Sequence, residues 1–89
     1  MSSISIEGIQ KKLQEEGFKL TLQRQATVEI LLEHLNELLT AEEIYMYVKQ
    51  KYPDIGLATV YRTLEILTDL GIISRNPVSY YTSLSGLAR

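Results

Sequence analysis

A mainly α fold, a winged helix-turn-helix with a short C-terminal β-hairpin, is predicted by three observations on the 89-residue sequence. Apolar residues recur at helical spacing in four successive stretches, and the first half of the chain shows no strand-like alternation. The third and fourth stretches are joined by a short turn containing Gly56, the layout of a helix-turn-helix. After Gly71 come two β-prone runs separated by a turn signal. The length supports one domain with a modest core. Residues 1–82 are assigned to it, and residues 83–89, mostly small and aperiodic, to a loose tail.

The first helix is expected over residues 5–16, where Ile6, Ile9 and Leu13 make one apolar stripe and Gly17 fits the C′ position. Phe18-Lys19-Leu20 is a short loop, and Thr21 can cap a second helix over 22–36. Leu22, Ala26, Val28, Ile30, Leu31, Leu32 and Leu35 spread around that helix, as in one buried on much of its surface. Thr40-Ala41-Glu42-Glu43 has the spacing of a capping box. The third helix then runs to about Tyr52, burying Ile44, Val48 and one of Tyr45 or Tyr47, and Pro53 stops it. Asp54-Ile55-Gly56 connects to a fourth helix over 57–70, whose Leu57, Val60, Leu64 and Leu67 form a core-facing stripe and whose end Gly71 marks. Ile72–Arg75 and Val78–Thr82 are the strands of the hairpin, with Asn76-Pro77 between them.

Composition removes several function classes. There is no Cys and one His, which excludes a disulfide scaffold and a thiolate zinc site and leaves little for a His-based triad. No apolar run approaches the ~20 residues of a membrane span, and the N-terminus lacks the features of a signal peptide, so a cytoplasmic domain is expected. No phosphate-cradling loop, nucleophile motif or metal cluster is present, and the adjacent Glu42 and Glu43 diverge on one helix; an enzyme is not expected. The net charge of −2 argues against a general polyanion binder, but it is unevenly placed: residues 1–24 carry +1, residues 25–48 carry −5 and residues 49–89 carry +2.

On a helical wheel the side of the fourth helix opposite its stripe exposes Ala58, Thr59 and Arg62, with Tyr61 on the flank and no acid before Glu65. In a helix-turn-helix, the first turns of the second helix meet base edges in the major groove. Arg pairs with guanine, and an aromatic ring or methyl touches the thymine methyl. Plain structural readings stand beside this one: Arg62 paired with Glu65, Tyr61 as a half-buried core residue, Lys19 and Arg24 as solvated charges.

Leu20-Thr21-Leu22-Gln23-Arg24, Thr40-Ala41-Glu42-Glu43-Ile44-Tyr45 and Ile55-Gly56-Leu57-Ala58-Thr59-Val60-Tyr61-Arg62-Thr63-Leu64 closely resemble the DNA-binding domain of the ferric uptake regulator family, from about residue 6 to residue 75. The last block is the most specific. The resemblance implies a bacterial metal- or peroxide-responsive transcriptional regulator, a repressor, that reads an A·T-rich palindromic operator in double-stranded DNA. It implies that Tyr61 touches thymine methyls, that Arg62 meets a base edge or phosphate, that Lys19 reaches an A·T-rich minor groove and that Arg24 contacts phosphate.

The chain departs from that pattern in four places. The family's dimerising, metal-holding C-terminal domain has no counterpart in the sequence, so no cofactor is expected in this chain, and a monomer or weak dimer is. Leu38 stands where many members have a His ligand, and the one His, His34, falls on the second helix. Asn76-Pro77 replaces a Gly-rich wing turn, and Ser83–Arg89 does not resemble the family. The competing expectation is a winged-helix protein-interaction module that does not touch nucleic acid, favoured by the net negative charge and the six tyrosines.

Overall fold

A computed structural model describes residues 6–76 and 79–81. In chain order these residues form α1 (Ile6–Glu15), α2 (Leu22–Glu33), β1 (Leu38–Leu39), α3 (Ala41–Lys51), α4 (Leu57–Asp69), β2 (Ser74–Arg75) and β3 (Tyr80–Tyr81). The expected helix start at residue 5, Pro77 and Val78 of the hairpin, Thr82 and the tail 83–89 lie outside the described residues.

The local signals set the helix ends. The Thr40 hydroxyl accepts from the Glu43 amide at 3.1 Å, and a Glu43 carboxylate oxygen accepts from the Thr40 amide at 2.8 Å, so α3 opens on the expected reciprocal cap. Thr21 caps α2 by accepting from the Arg24 amide at 3.2 Å. Gly17 and Gly71 adopt φ of +86° and +74°. At each the chain closes a Schellman turn: Phe18 donates to the Leu13 carbonyl at 2.8 Å and Gly17 to Gln14 at 3.1 Å, while Ile72 donates to Leu67 at 2.9 Å and Gly71 to Thr68 at 3.0 Å. α2 is three residues shorter than expected because Asn36 turns to φ +65°, a conformation Asn tolerates, and the chain then extends.

That extension is β1, which the sequence reading missed. It pairs antiparallel with β3, Leu38 opposite Tyr81 and Leu39 opposite Tyr80, and β3 pairs in turn with β2. The hairpin therefore belongs to a three-stranded sheet of order β1-β3-β2, with β3 in the centre. The Asn76 amide donates to the Ser79 carbonyl at 2.8 Å, closing the hairpin turn.

Val28 of α2, Ile44 and Val48 of α3, and Val60, Leu64 and Leu67 of α4 are fully buried where the three helices meet. Burial of each such side chain is worth about 1.5–3 kcal/mol. Tyr45 packs at the edge of this core, while Tyr47 is exposed. One expected stripe member is not in it: Leu57, in the first turn of α4, is 39% exposed, and Thr63 is buried instead. The buried face of α4 is thus turned by about 30° from the expected one. Tyr61 and Ile66 then lie on its two flanks, both half-buried, and Ala58 and Arg62 point away from the core. Leu22, counted among the apolar residues of α2, is 80% exposed at that helix's start.

Candidate nucleic-acid interface

The turn between α3 and α4 positions the candidate helix. Tyr52 ends α3, its carbonyl accepts from the Ile55 amide at 3.1 Å, and the buried Ile55 side chain anchors the turn to the core. Gly56 begins α4 with no side-chain cap, leaving the first amides of that helix without a side-chain acceptor.

The first turns of α2 and α4 face each other across a cleft of about 280 Å³ lined by Thr21, Gln23, Arg24, Ala58, Thr59 and Arg62. Four of the six candidate residues, Arg24, Ala58, Thr59 and Arg62, therefore share one surface although the sequence separates them by over thirty positions. Its lining holds two guanidinium groups, two hydroxyls and an amide, and no carboxylate. Among the described residues no carboxylate lies within ion-pair distance of Arg62, so the pairing with Glu65 is not formed. Thr21 and Gln23 belong to the same surface. In the sequence Thr21 reads as a cap and both residues as part of a motif, without a contact role; their place beside Arg24 at the start of α2 was the available signal.

Arg24 has a second task. Its Nη1 donates to the Lys19 carbonyl at 2.9 Å, fastening the loop before α2. Lys19 is exposed and outside the cleft, at the end of that tethered loop.

Tyr61 is also outside the cleft, on the flank toward α3. Its hydroxyl donates to Glu42 Oε2 at 2.6 Å. The bond holds the Glu42 carboxyl below its ordinary range and pushes the Tyr61 phenol above its own. No local spacing links these two residues, and the sequence alone marks no partner for Glu42 on α4.

All five acids of the 25–48 block are engaged by neighbours. Glu29 accepts from Gln25 and from the Tyr52 hydroxyl, at 3.4 and 3.3 Å. Glu33 pairs with Lys51, which raises the lysine above its ordinary range. Glu37 lies 3.3 Å from His34 Nδ1, Glu42 holds Tyr61 and Glu43 caps α3. The acidic middle thus ties α2 to α3 and α3 to α4. Beyond the cleft, a second hollow of about 290 Å³ lies between the C-terminal half of α4 and the sheet, and it is lined in part by Glu65 and Asp69. On α4 the carboxylate-free surface is therefore limited to the N-terminal half of the helix, where it meets the first turn of α2.

His34 is half-buried against Tyr47, with ring centroids 4.4 Å apart. Among the described residues no three His, Asp or Glu side chains converge to hold a metal ion, and no helix is long and apolar enough to cross a membrane.

Comparison with known proteins gives the same fold. The ferric uptake regulator family pattern matches residues 15–83. The ferric uptake regulation protein of Bacillus subtilis (strain 168) is 53% identical over 70 residues, covering 79% of this chain and 47% of that protein. The peroxide-responsive repressor PerR of Staphylococcus aureus (strain Mu50) is 35% identical over 79 aligned positions, covering 80% and 52%. The crystal structure of the Vibrio cholerae ferric uptake regulator superimposes with a TM-score of 0.70 at 32% identity, over 84% of this chain and 61% of that one. The chain spans about half the length of the curated relatives it matches.

Proposed function

Because this chain belongs to the ferric uptake regulator family, we propose that it reads double-stranded DNA with α4 in the major groove, as the DNA-reading part of a metal- or peroxide-responsive transcriptional repressor. Members of the family are regulators rather than enzymes, so the activity assigned is binding alone. The observation that carries it is the cleft joining Arg24 to Arg62: two helix starts and two guanidinium groups face one hollow that no carboxylate lines. Helix starts favour anions through their free amides, and guanidinium groups match phosphate and the guanine edge.

Within this arrangement Arg62, Ala58 and Thr59 face base edges, and Tyr61 offers its ring to a thymine methyl. Arg24 meets phosphate across the cleft, and Lys19 extends from its tethered loop toward the adjacent minor groove. The operator is an A·T-rich palindrome, bound by two copies on matched half-sites. No metal or cofactor takes part in the contact itself, and a single copy binds weakly and with steep salt dependence.

The test is binding of the 89-residue chain to a duplex selected from a random pool and to its scrambled counterpart, across a range of salt. Arg62→Ala should abolish most of the preference for the selected duplex. Arg24→Ala should weaken both complexes and reduce the salt slope by about one or more, since it removes a phosphate contact and frees the Lys19 loop. Absence of binding to any duplex at low salt would overturn the assignment in favour of a protein-interaction module. The footing for that second reading is the exposed Leu22 beside an apolar hollow formed with Tyr52, Pro53 and Ile55.

A further inference from the structure

The first turn of α3 carries a carboxylate beside the candidate DNA surface, where a negative charge opposes phosphate binding. Glu42 is exposed, and its Oε2 accepts a hydrogen bond from the Tyr61 hydroxyl at 2.6 Å across the gap between α3 and α4. The length is that of a charge-assisted O–H···O⁻ bond. We propose that Glu42 is a positioning residue that fixes the Tyr61 ring on the face of α4 and makes this tyrosine a reader of the thymine methyl. The proposal rests on the DNA-reading role given to α4 above.

Three features of the geometry support it. The turn carrying Glu42 is itself locked, because Thr40 and Glu43 on either side of it exchange the two bonds of the capping box. The ring is held at its other end, half-buried against the core, so both ends of the side chain are fixed. Finally, the bond decides what Tyr61 can offer a base pair. Guanine N7 and O6, adenine N7 and thymine O4 are all acceptors in the major groove. A hydroxyl that already donates its one proton to Glu42 cannot donate to any of them. The hydroxyl oxygen keeps acceptor capacity alone, and the ring carbons can meet the C5 methyl of thymine, which takes no hydrogen bond.

The experiment uses the 89-residue chain, a duplex selected from a random pool, and the same duplex with thymine replaced by deoxyuridine, which removes only the methyl groups. The wild-type chain should prefer the thymine duplex by about fourfold for each methyl it covers. Tyr61→Ala should lose that preference. Glu42→Ala should lose it as well while binding scrambled duplex as tightly as the wild type or more so, since a negative charge has gone. Glu42→Gln, whose amide oxygen still accepts the phenol proton, should keep most of it. Unfolding midpoints of each variant establish that the compared chains are folded.

Glu42→Ala with an undiminished methyl preference would overturn the proposal, and so would Glu42→Gln behaving like Glu42→Ala. If the wild-type chain binds the selected duplex but neither it nor Tyr61→Ala distinguishes deoxyuridine, the Tyr61 contact fails and Glu42's role with it. If the wild type binds no duplex at all, the failure lies with the DNA-reading role. The outcomes are thus distinguishable.

Discussion

The Arg24 guanidinium donates to the Lys19 carbonyl at 2.9 Å, so the residue assigned to phosphate also holds the backbone from which Lys19 projects. Lysine at position 24 would keep the charge but lose the planar fork that reaches the carbonyl while still facing the cleft. Arg24→Lys is therefore expected to weaken DNA binding although no charge is lost. Its effect should be non-additive with Lys19→Ala: once the loop is untethered, removing Lys19 should cost less than it does in the wild type. A double-mutant cycle on DNA affinity checks this. Strict additivity would mean that the loop holds its shape without Arg24.

The bond between Tyr61 and Glu42 gives the fold a pH signature. Glu42's carboxyl is lowered in the folded state by that bond. The stability it contributes is therefore fully present above the ordinary carboxylate value of about 4.3 and is lost as pH falls through the lower folded value. Tyr61 is raised by the same bond, so its contribution is present below the ordinary phenol value of about 10 and is lost as pH rises through the raised one. The difference in urea midpoint between the wild type and Tyr61→Phe should be constant between about pH 5 and 9 and shrink outside both limits. A difference that stays constant through acid would mean that the two residues are not bonded in solution.

The sequence distance this bond spans explains why part of the site is not legible in sequence. The caps at Thr21 and Thr40 and the Schellman turns at Gly17 and Gly71 are legible because each is closed by residues a few positions apart. Glu42 and Tyr61 are nineteen residues apart, and nothing in either neighbourhood marks the other. The same limit hides β1: Leu38–Leu39 is too short to show alternation, and its pairing with Tyr80–Tyr81 is set by how the helices bring those segments together. Leu57 was misassigned for a different reason. A wheel assumes that neighbours flank a helix along its whole length, whereas the first turn of α4 projects past the packing. The cleft is an intermediate case, since the wheel and the resemblance mark Arg24 and Arg62 singly, and only the fold places them together.

Thr27 is fully buried in α2, and its hydroxyl has no hydrogen-bond partner among the described residues. A buried polar atom without a partner carries its desolvation cost uncompensated. Valine has the same branched shape without the hydroxyl. Thr27→Val should therefore stabilise the domain by on the order of 1 kcal/mol, read as a higher urea midpoint at unchanged m-value. Because Thr27 is buried and does not line the cleft, DNA affinity should change little. A loss of stability would mean that a buried water bonds the hydroxyl in solution.

Gly56 allows fold stability and DNA binding to be pushed in opposite directions. It is the N-cap of α4 at φ −92° and ψ 152°, extended backbone that any residue adopts, and a Cβ there would meet nothing within 4 Å. The cap makes no side-chain hydrogen bond. Aspartate could accept from a first-turn amide and would interact favourably with the positive end of the helix, so Gly56→Asp should stabilise the fold by a few tenths of a kcal/mol. The same carboxylate would occupy amides at the helix end assigned to DNA and would repel phosphate. Gly56→Asp should thus raise the unfolding midpoint and weaken duplex binding, with the loss diminishing as salt screens the charge. Gly56→Ser should give a similar cap with little loss of binding. Equal binding by the aspartate and serine variants at low salt would place the start of α4 away from the DNA and remove the cleft from the interface.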